Sequence, residues 1–158
     1  MAVVPPHIMV TPADEHLLAL TVWGEARGLG EREMARVGRV VLSRAIQRHT
    51  NIAGVVWAKH QFSCWRAHDP NRVKMRSLAY MTNPQDVRVW GLAKQVAHKL
   101  VVRLSKKPKD FGQFSNTPTS FRTIKGKMVY TGYTRYTGYT SSIGARKKVV
   151  ALPHTHRI

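Results

Sequence analysis

Three stretches of this chain set apolar residues at helical spacing, two of them behind a helix-start signal, so any fold it adopts must bury three helix faces together. The first begins at Thr11-Pro12-Ala13-Asp14. The threonine can cap, the proline fits the first turn, and Asp14 completes a capping-box-like pattern. It runs on through LLALTVWGEA, with Leu17, Leu18, Thr21, Val22 and Glu25 on neighbouring i, i+3 and i+4 positions, until Gly28 and Gly30 end it. The second spans about 31–48, with Met34, Val37, Val41, Leu42, Ala45 and Ile46 as its stripe and Arg32, Arg36, Arg39 and Arg48 mostly opposite. The third starts at Asn83-Pro84-Gln85-Asp86, carries Val87, Trp90, Ala93, Ala97, Leu100, Val101 and Leu104, and stops before Pro108.

Between the second and third helices lie a turn at 49–51, a short apolar piece IAGVVW and a loop-like stretch KHQFSCWRAHDPN. Asp69-Pro70-Asn71 reads as a turn within it. From 110 onward Gly, Thr, Ser and Tyr dominate, which predicts loops with short strands over 127–133 and 146–152. YTGY occurs at 130–133 and again at 136–139, a period too short for a solenoid and suited to a hairpin or a repeated turn. The expected fold class is α+β, mostly helical. One domain over 1–158 is expected, with 1–10 as an N-terminal arm, and 158 residues suffice for a real core.

Twenty-six Lys and Arg against eight Asp and Glu give a formal net charge of +18. Such a surface attracts polyanions: nucleic acid, anionic membrane or anionic cell-envelope polymers. The positive charge is diffuse, with KKPK at 106–109 and RKK at 146–148 as the nearest things to blocks. The single cysteine, Cys64, excludes an intrachain disulfide and a cysteine metal cluster. The histidines form no HExxH, so neither metal nor cofactor is expected. No signal peptide is read at MAVVPPHIMV, and no run is long and apolar enough to span a membrane.

Among so few carboxylates, Glu25 stands out. It follows an apolar helix face that also carries Leu18, Thr21 and Val22, which turns it toward the core or a cleft. Burial disfavours the ionised carboxyl, and an acid kept protonated near neutral pH can protonate a leaving oxygen, as in glycoside cleavage. The competing reading is a solvated residue paired with Arg27 or Arg32. QFSCW, Gln61 to Trp65, packs two aromatics, an amide, a hydroxyl and a thiol into five residues, suiting either a sugar-binding wall or a loop anchored by Phe62 and Trp65. Cys64 as a nucleophile, helped by His60 or His68, is a third possibility.

LALTVWGEARG, MARVGRVVLSRA and GVVWAKHQFSCW, in this order, resemble the SleB-type cell wall hydrolases, the spore-cortex-lytic enzymes and their relatives. QFSCW after GVVW is the most specific part, and the match covers roughly residues 17–65. Ser43 stands where the family has Asn. The later Gly-Ala-Thr-His type motif is here at best Gly112-Gln113-Phe114-Ser115-Asn116, without histidine, and SIGARKKVV resembles the closing strand only faintly. The resemblance implies a lysozyme-like (lytic transglycosylase-like) fold, cleavage of the β-1,4 bond between N-acetylmuramic acid and N-acetylglucosamine, and Glu25 as the catalytic glutamate. It implies a lytic transglycosylase, in which the muramyl 6-hydroxyl closes on the anomeric carbon to leave a 1,6-anhydro end. Lysozyme-type hydrolysis is the alternative.

Hydrolysis needs a second carboxylate. Glu31 and Glu33 suit the dipole of the second helix, and Asp69 and Asp110 sit in loops, so none stands out. Thr21, Gln61, Phe62, Ser63 and Trp65 are the candidate substrate-binding residues, joined by Tyr130 and Tyr133, with Tyr136 and Tyr139 as further stacking surfaces or as core cover. Expected partners are peptidoglycan and, through the basic surface, anionic envelope polymers. The protein is expected to be a monomer that acts as a phage endolysin, made in the host cytoplasm and acting on the wall after release. A basic nucleic-acid-binding protein is the rival of another class, although zinc-finger spacing and RNP-like motifs are missing.

Overall fold

The Thr11 hydroxyl accepts the Asp14 N–H at 3.1 Å and the Asp14 carboxylate accepts the Thr11 N–H at 2.9 Å, so the capping box forms as read. The computed structural model describes residues 10–59, 61–78, 81–112, 117–125, 127–135 and 148–150. Behind that cap runs α1, Pro12–Ala26, followed by α2, Glu31–Gln47, and α3, Ile52–Val56. A 3-10 turn at Ser63–Trp65 leads to α4, Pro70–Arg76, then the long α5, Pro84–Lys106, and a single turn α6, Lys109–Gly112. Gly30 caps α2 at φ 91°, a left-handed conformation that glycine adopts without strain. The Asn83 side chain accepts from the N–H groups of Gln85 and Asp86, which starts α5 where its sequence predicts.

Two stretches differ from the reading. IAGVV is helical, because the Asn51 side chain caps it by accepting the Gly54 N–H at 2.7 Å. Asp69-Pro70-Asn71 is a helix start, with Asp69 accepting the Asn71 N–H at 2.8 Å and Pro70 in the first turn. Asp-Pro-Asn chemistry serves turns and N-caps alike, so sequence alone does not separate them.

The core gathers around α1, which packs against α2, α3, α4, α5 and the 3-10 turn. Leu17, Leu18, Ala19, Thr21, Val22, Trp23, Gly24 and Ala26 are all buried, so this helix is enclosed on most of its circumference. α2 adds Met34, Val37, Val40, Val41, Leu42 and Ile46 to the core, and α5 adds Ala93, Val96, Ala97 and Leu100.

The domain is small and mostly helical, and that is the part of the α+β expectation that stands. Among the described residues, strand pairing forms one three-stranded antiparallel sheet, ordered β1 (Thr117–Ile124), β2 (Lys127–Arg135) and β3 (Lys148–Val150). Phe121↔Tyr130 and Tyr133↔Val150 mark its register. Pro118 sits on the edge strand β1, next to a register irregularity, where its missing N–H is tolerated. β1 lies against α2, and Phe121 brings its ring 5.8 Å from that of Phe62.

Candidate active site

Glu25 is the penultimate residue of the enclosed helix α1, beside its carbonyl end. The 3-10 turn comes down on it. The Cys64 N–H donates to Glu25 Oε2 at 3.2 Å and the Ser63 hydroxyl donates to the same oxygen at 3.3 Å. Burial pushes the Glu25 carboxyl above its ordinary range. The bonds from Cys64 and Ser63 oppose that shift, and the charge of Asp69 adds to it. The negative end of the α1 dipole acts in the same upward direction. The pairing with Arg27 or Arg32 does not form. Arg27 instead donates to Asn71 Oδ1 at 2.6 Å and stacks over Trp23, and Arg32 is exposed.

Two features seat the turn on α1. Gly24 is buried with Cys64 directly against it, where a methyl group would collide. Thr21, one turn before Glu25, accepts the Trp65 indole N–H at 2.9 Å while donating to the Leu17 carbonyl at 2.9 Å. A Thr21→Val variant keeps the shape but leaves the Trp65 N–H without its acceptor. Its loss of stability is expected at about 1–3 kcal/mol, read from the urea midpoint.

Phe62 and Cys64 are buried, Trp65 is half-buried and Ser63 is exposed. QFSCW is therefore both an anchored loop and a wall. Gln61 faces the other way, its side-chain oxygen accepting from Arg44 at 3.1 Å and Arg48 at 3.2 Å. Arg44 also lies over the Phe62 ring, at 5.4 Å from the centroid. Burial first, then the neighbouring Arg48, pulls Arg44 down to about 10, so it stays charged at neutral pH. Cys64 is fully buried, and burial first and Glu25 next push its thiol far above the ordinary range. Burial disfavours the thiolate that a nucleophile needs, which counts against the nucleophile reading. His68 is exposed, and His60 lies outside the described residues.

An open cleft of about 810 Å³ runs alongside, lined by Val56, Trp57, Ala58, Lys59, Phe62, Trp65, Arg66, Ala67 and Arg72. Glu25 is not in this lining. It adjoins through segment 62–65, whose end residues line the cleft while Ser63 and Cys64 bond the carboxyl. The sequence reading missed Trp57, Asn71 and Arg72. Asn71 donates to the Gly24 carbonyl at 3.1 Å, and Arg72 donates to the Trp65 carbonyl at 3.0 Å, so the start of α4 clamps both sides of the site. Their only signal was DPN. The four carboxylates weighed as partners are engaged elsewhere: Glu31 with Lys99, Glu33 with Arg36, Asp110 with Arg103, and Asp69 as the α4 cap.

Tyr130 and Tyr133 fall in β2, where the backbone pairing is described and their side chains are not; Tyr136 and Tyr139 lie outside the described residues. The same holds for 113–116, 136–147 and the arm 1–9. Among the described residues no cluster of His, Cys, Asp or Glu could hold a metal ion, and no helix is long and apolar enough to cross a membrane.

The raised Glu25 carboxyl has a thermodynamic consequence. The folded state holds this proton more tightly than the unfolded chain, so stability falls as pH rises from the ordinary carboxyl range through the raised value. Glu25→Gln removes the burden of an ionised half-buried group while keeping an acceptor for Ser63 and Cys64. Its melting temperature is expected to exceed wild type at pH 8, with the difference closing below pH 4, by calorimetry across pH.

No protein-family model, no curated protein and no solved structure matches this chain.

Proposed function

We propose that the chain is a peptidoglycan-cleaving glycosidase of lysozyme-like fold, in which Glu25 protonates the β-1,4 glycosidic oxygen between N-acetylmuramic acid and N-acetylglucosamine. The observation that carries this reading is a desolvated carboxyl, fixed through one oxygen by Ser63 and Cys64, beside a cleft lined by Trp57 and Trp65. A positioned acid with a raised pKa is what protonating a poor leaving group requires.

The proposed route is that of a lytic transglycosylase. Glu25 gives up its proton as the C–O bond breaks, then accepts the proton of the muramyl 6-hydroxyl as that oxygen bonds the anomeric carbon. The ring closes as a 1,6-anhydro end and the carboxyl is restored. The commitments of Glu31, Glu33, Asp69 and Asp110 favour this one-acid route over a two-carboxylate mechanism. Asp69, whose charge reaches Glu25, is the residue hydrolysis would have to recruit, and its Oδ1 is held by the Asn71 N–H.

The proposed setting is that of a phage endolysin, drawn to peptidoglycan and anionic envelope polymers by its +18 charge, with attraction that weakens as salt rises. The same charge favours one rival, a nucleic-acid-binding protein. Mass spectrometry of digested peptidoglycan tests the proposal. Anhydro ends lie one water below reducing ends in mass, so one spectrum separates transglycosylation from hydrolysis. Salt-sensitive gel shifts without any product would favour the nucleic-acid reading.

A further inference from the structure

The cleft beside Glu25 has a chemistry of its own. Trp57 is 61% exposed at the end of α3, an unusual setting for an indole. Its ring meets that of Trp65 edge-on, with centroids 6.1 Å apart and planes at 88°. An edge contact leaves ring faces uncovered by the partner. Lys59, Arg66 and Arg72 complete the rim, and no carboxylate is among the described lining residues. Arg72 is fixed by its bond to the Trp65 carbonyl.

Resting on the glycosidase reading, we propose that this cleft is an accessory subsite for the acidic stem peptide of peptidoglycan: Trp57 stacks on a sugar ring while Lys59, Arg66 and Arg72 pair with the stem carboxylates. A neutral glycan such as chitin satisfies the indole and leaves three cations unanswered. A single-stranded nucleic acid answers both, by base stacking and phosphate pairing. A glycan bearing carboxylates answers both as well, and the Glu25 carboxyl adjoining the cleft favours the glycan. The subsite selects among substrates, and Glu25 performs the cleavage.

The test is equilibrium binding, by calorimetry, of four probes to the full chain carrying Glu25→Gln, so that nothing is turned over. The probes are a GlcNAc–MurNAc tetrapeptide, the same muropeptide with its carboxylates converted to carboxamides, chitobiose, and a single-stranded oligonucleotide. The acidic muropeptide is expected to bind about tenfold tighter than its carboxamide form. Trp57→Ala is expected to weaken it by about tenfold as well. Arg66→Gln, at an exposed position, is expected to erase part of the acid preference while leaving chitobiose binding unchanged. Unchanged melting curves for both variants would keep folding out of the comparison.

Equal affinity for acid and carboxamide forms, indifference to Trp57→Ala, or tighter binding of a single-stranded oligonucleotide than of the muropeptide would overturn the subsite. Cleavage by the wild type is scored separately. Binding with no cleavage leaves the subsite standing and removes the glycosidase. Cleavage with no acid preference does the reverse.

Discussion

Glu25→Gln is expected to lower the release of soluble muropeptides by about 10²–10⁴-fold, the range for removing a positioned general acid. The substitution is close to isosteric. Its amide oxygen can still accept from Ser63 and the Cys64 N–H, so the 3-10 turn has no reason to move. What disappears is the transferable proton. The same variant is expected to be more stable than wild type near neutral pH, since it removes a carboxyl whose ionised form burial disfavours. A protein that becomes firmer and loses its chemistry separates a catalytic role from a structural one. Activity should also decline as pH rises through the raised Glu25 value, because the acid form is then lost. The measurement is muropeptide release by mass spectrometry at matched protein concentration. Wild-type release by the glutamine variant would end the proposal.

The fold was legible where local chemistry decides it. α1 and α5 each begin at the residue type their sequence offers, with Thr11-Asp14 and Asn83 forming caps from side chains three or fewer positions away, and α2 was legible from its apolar stripe. Glu25 was legible for a similar reason, since a carboxylate is conspicuous on an apolar helix near its carbonyl end. The site's other half depends on tertiary contact. Gln61 reads as a sugar-binding amide in sequence, yet Arg44 of α2 and Arg48 just past its end donate to its oxygen. Asn71 and Arg72 look like part of a turn, and only the packing of α4 brings them 47 and 7 positions back along the chain to Gly24 and Trp65. Trp57 was hidden by its neighbours. It follows Val55 and Val56, which are buried, and nothing local says that the next residue turns outward. Gly24 carries no side chain to read, and its importance exists only once Cys64 lies against it.

Gly24→Ala is expected to cost far more activity than stability. A methyl group there would lie 2.8 Å from Cys64 Cβ, 2.8 Å from Met75 Sδ and 2.9 Å from Cys64 Sγ. Met75 can swing its thioether aside. Cys64 Cβ is tied to the backbone of the 3-10 turn, so the turn itself must retreat by roughly 1 Å to restore ordinary carbon contact. Overpacking costs about 1–3 kcal/mol, and alanine returns about 1 kcal/mol of helix propensity, so a net loss near 1 kcal/mol is expected. The site is less forgiving. The bonds that hold Glu25 Oε2 are already 3.2 and 3.3 Å long, and a further retreat of the turn releases them. A misplacement of about 1 Å can lower a rate by about 10²-fold, which is the loss expected for muropeptide release by this variant. Gly91 on α5 provides the control. It is exposed with nothing within 4 Å of an added methyl group, so Gly91→Ala should leave activity unchanged and raise the urea midpoint slightly. If Gly24→Ala instead matched wild type in rate, the 3-10 turn would not be what positions Glu25, and the acid would have to be held by α1 alone.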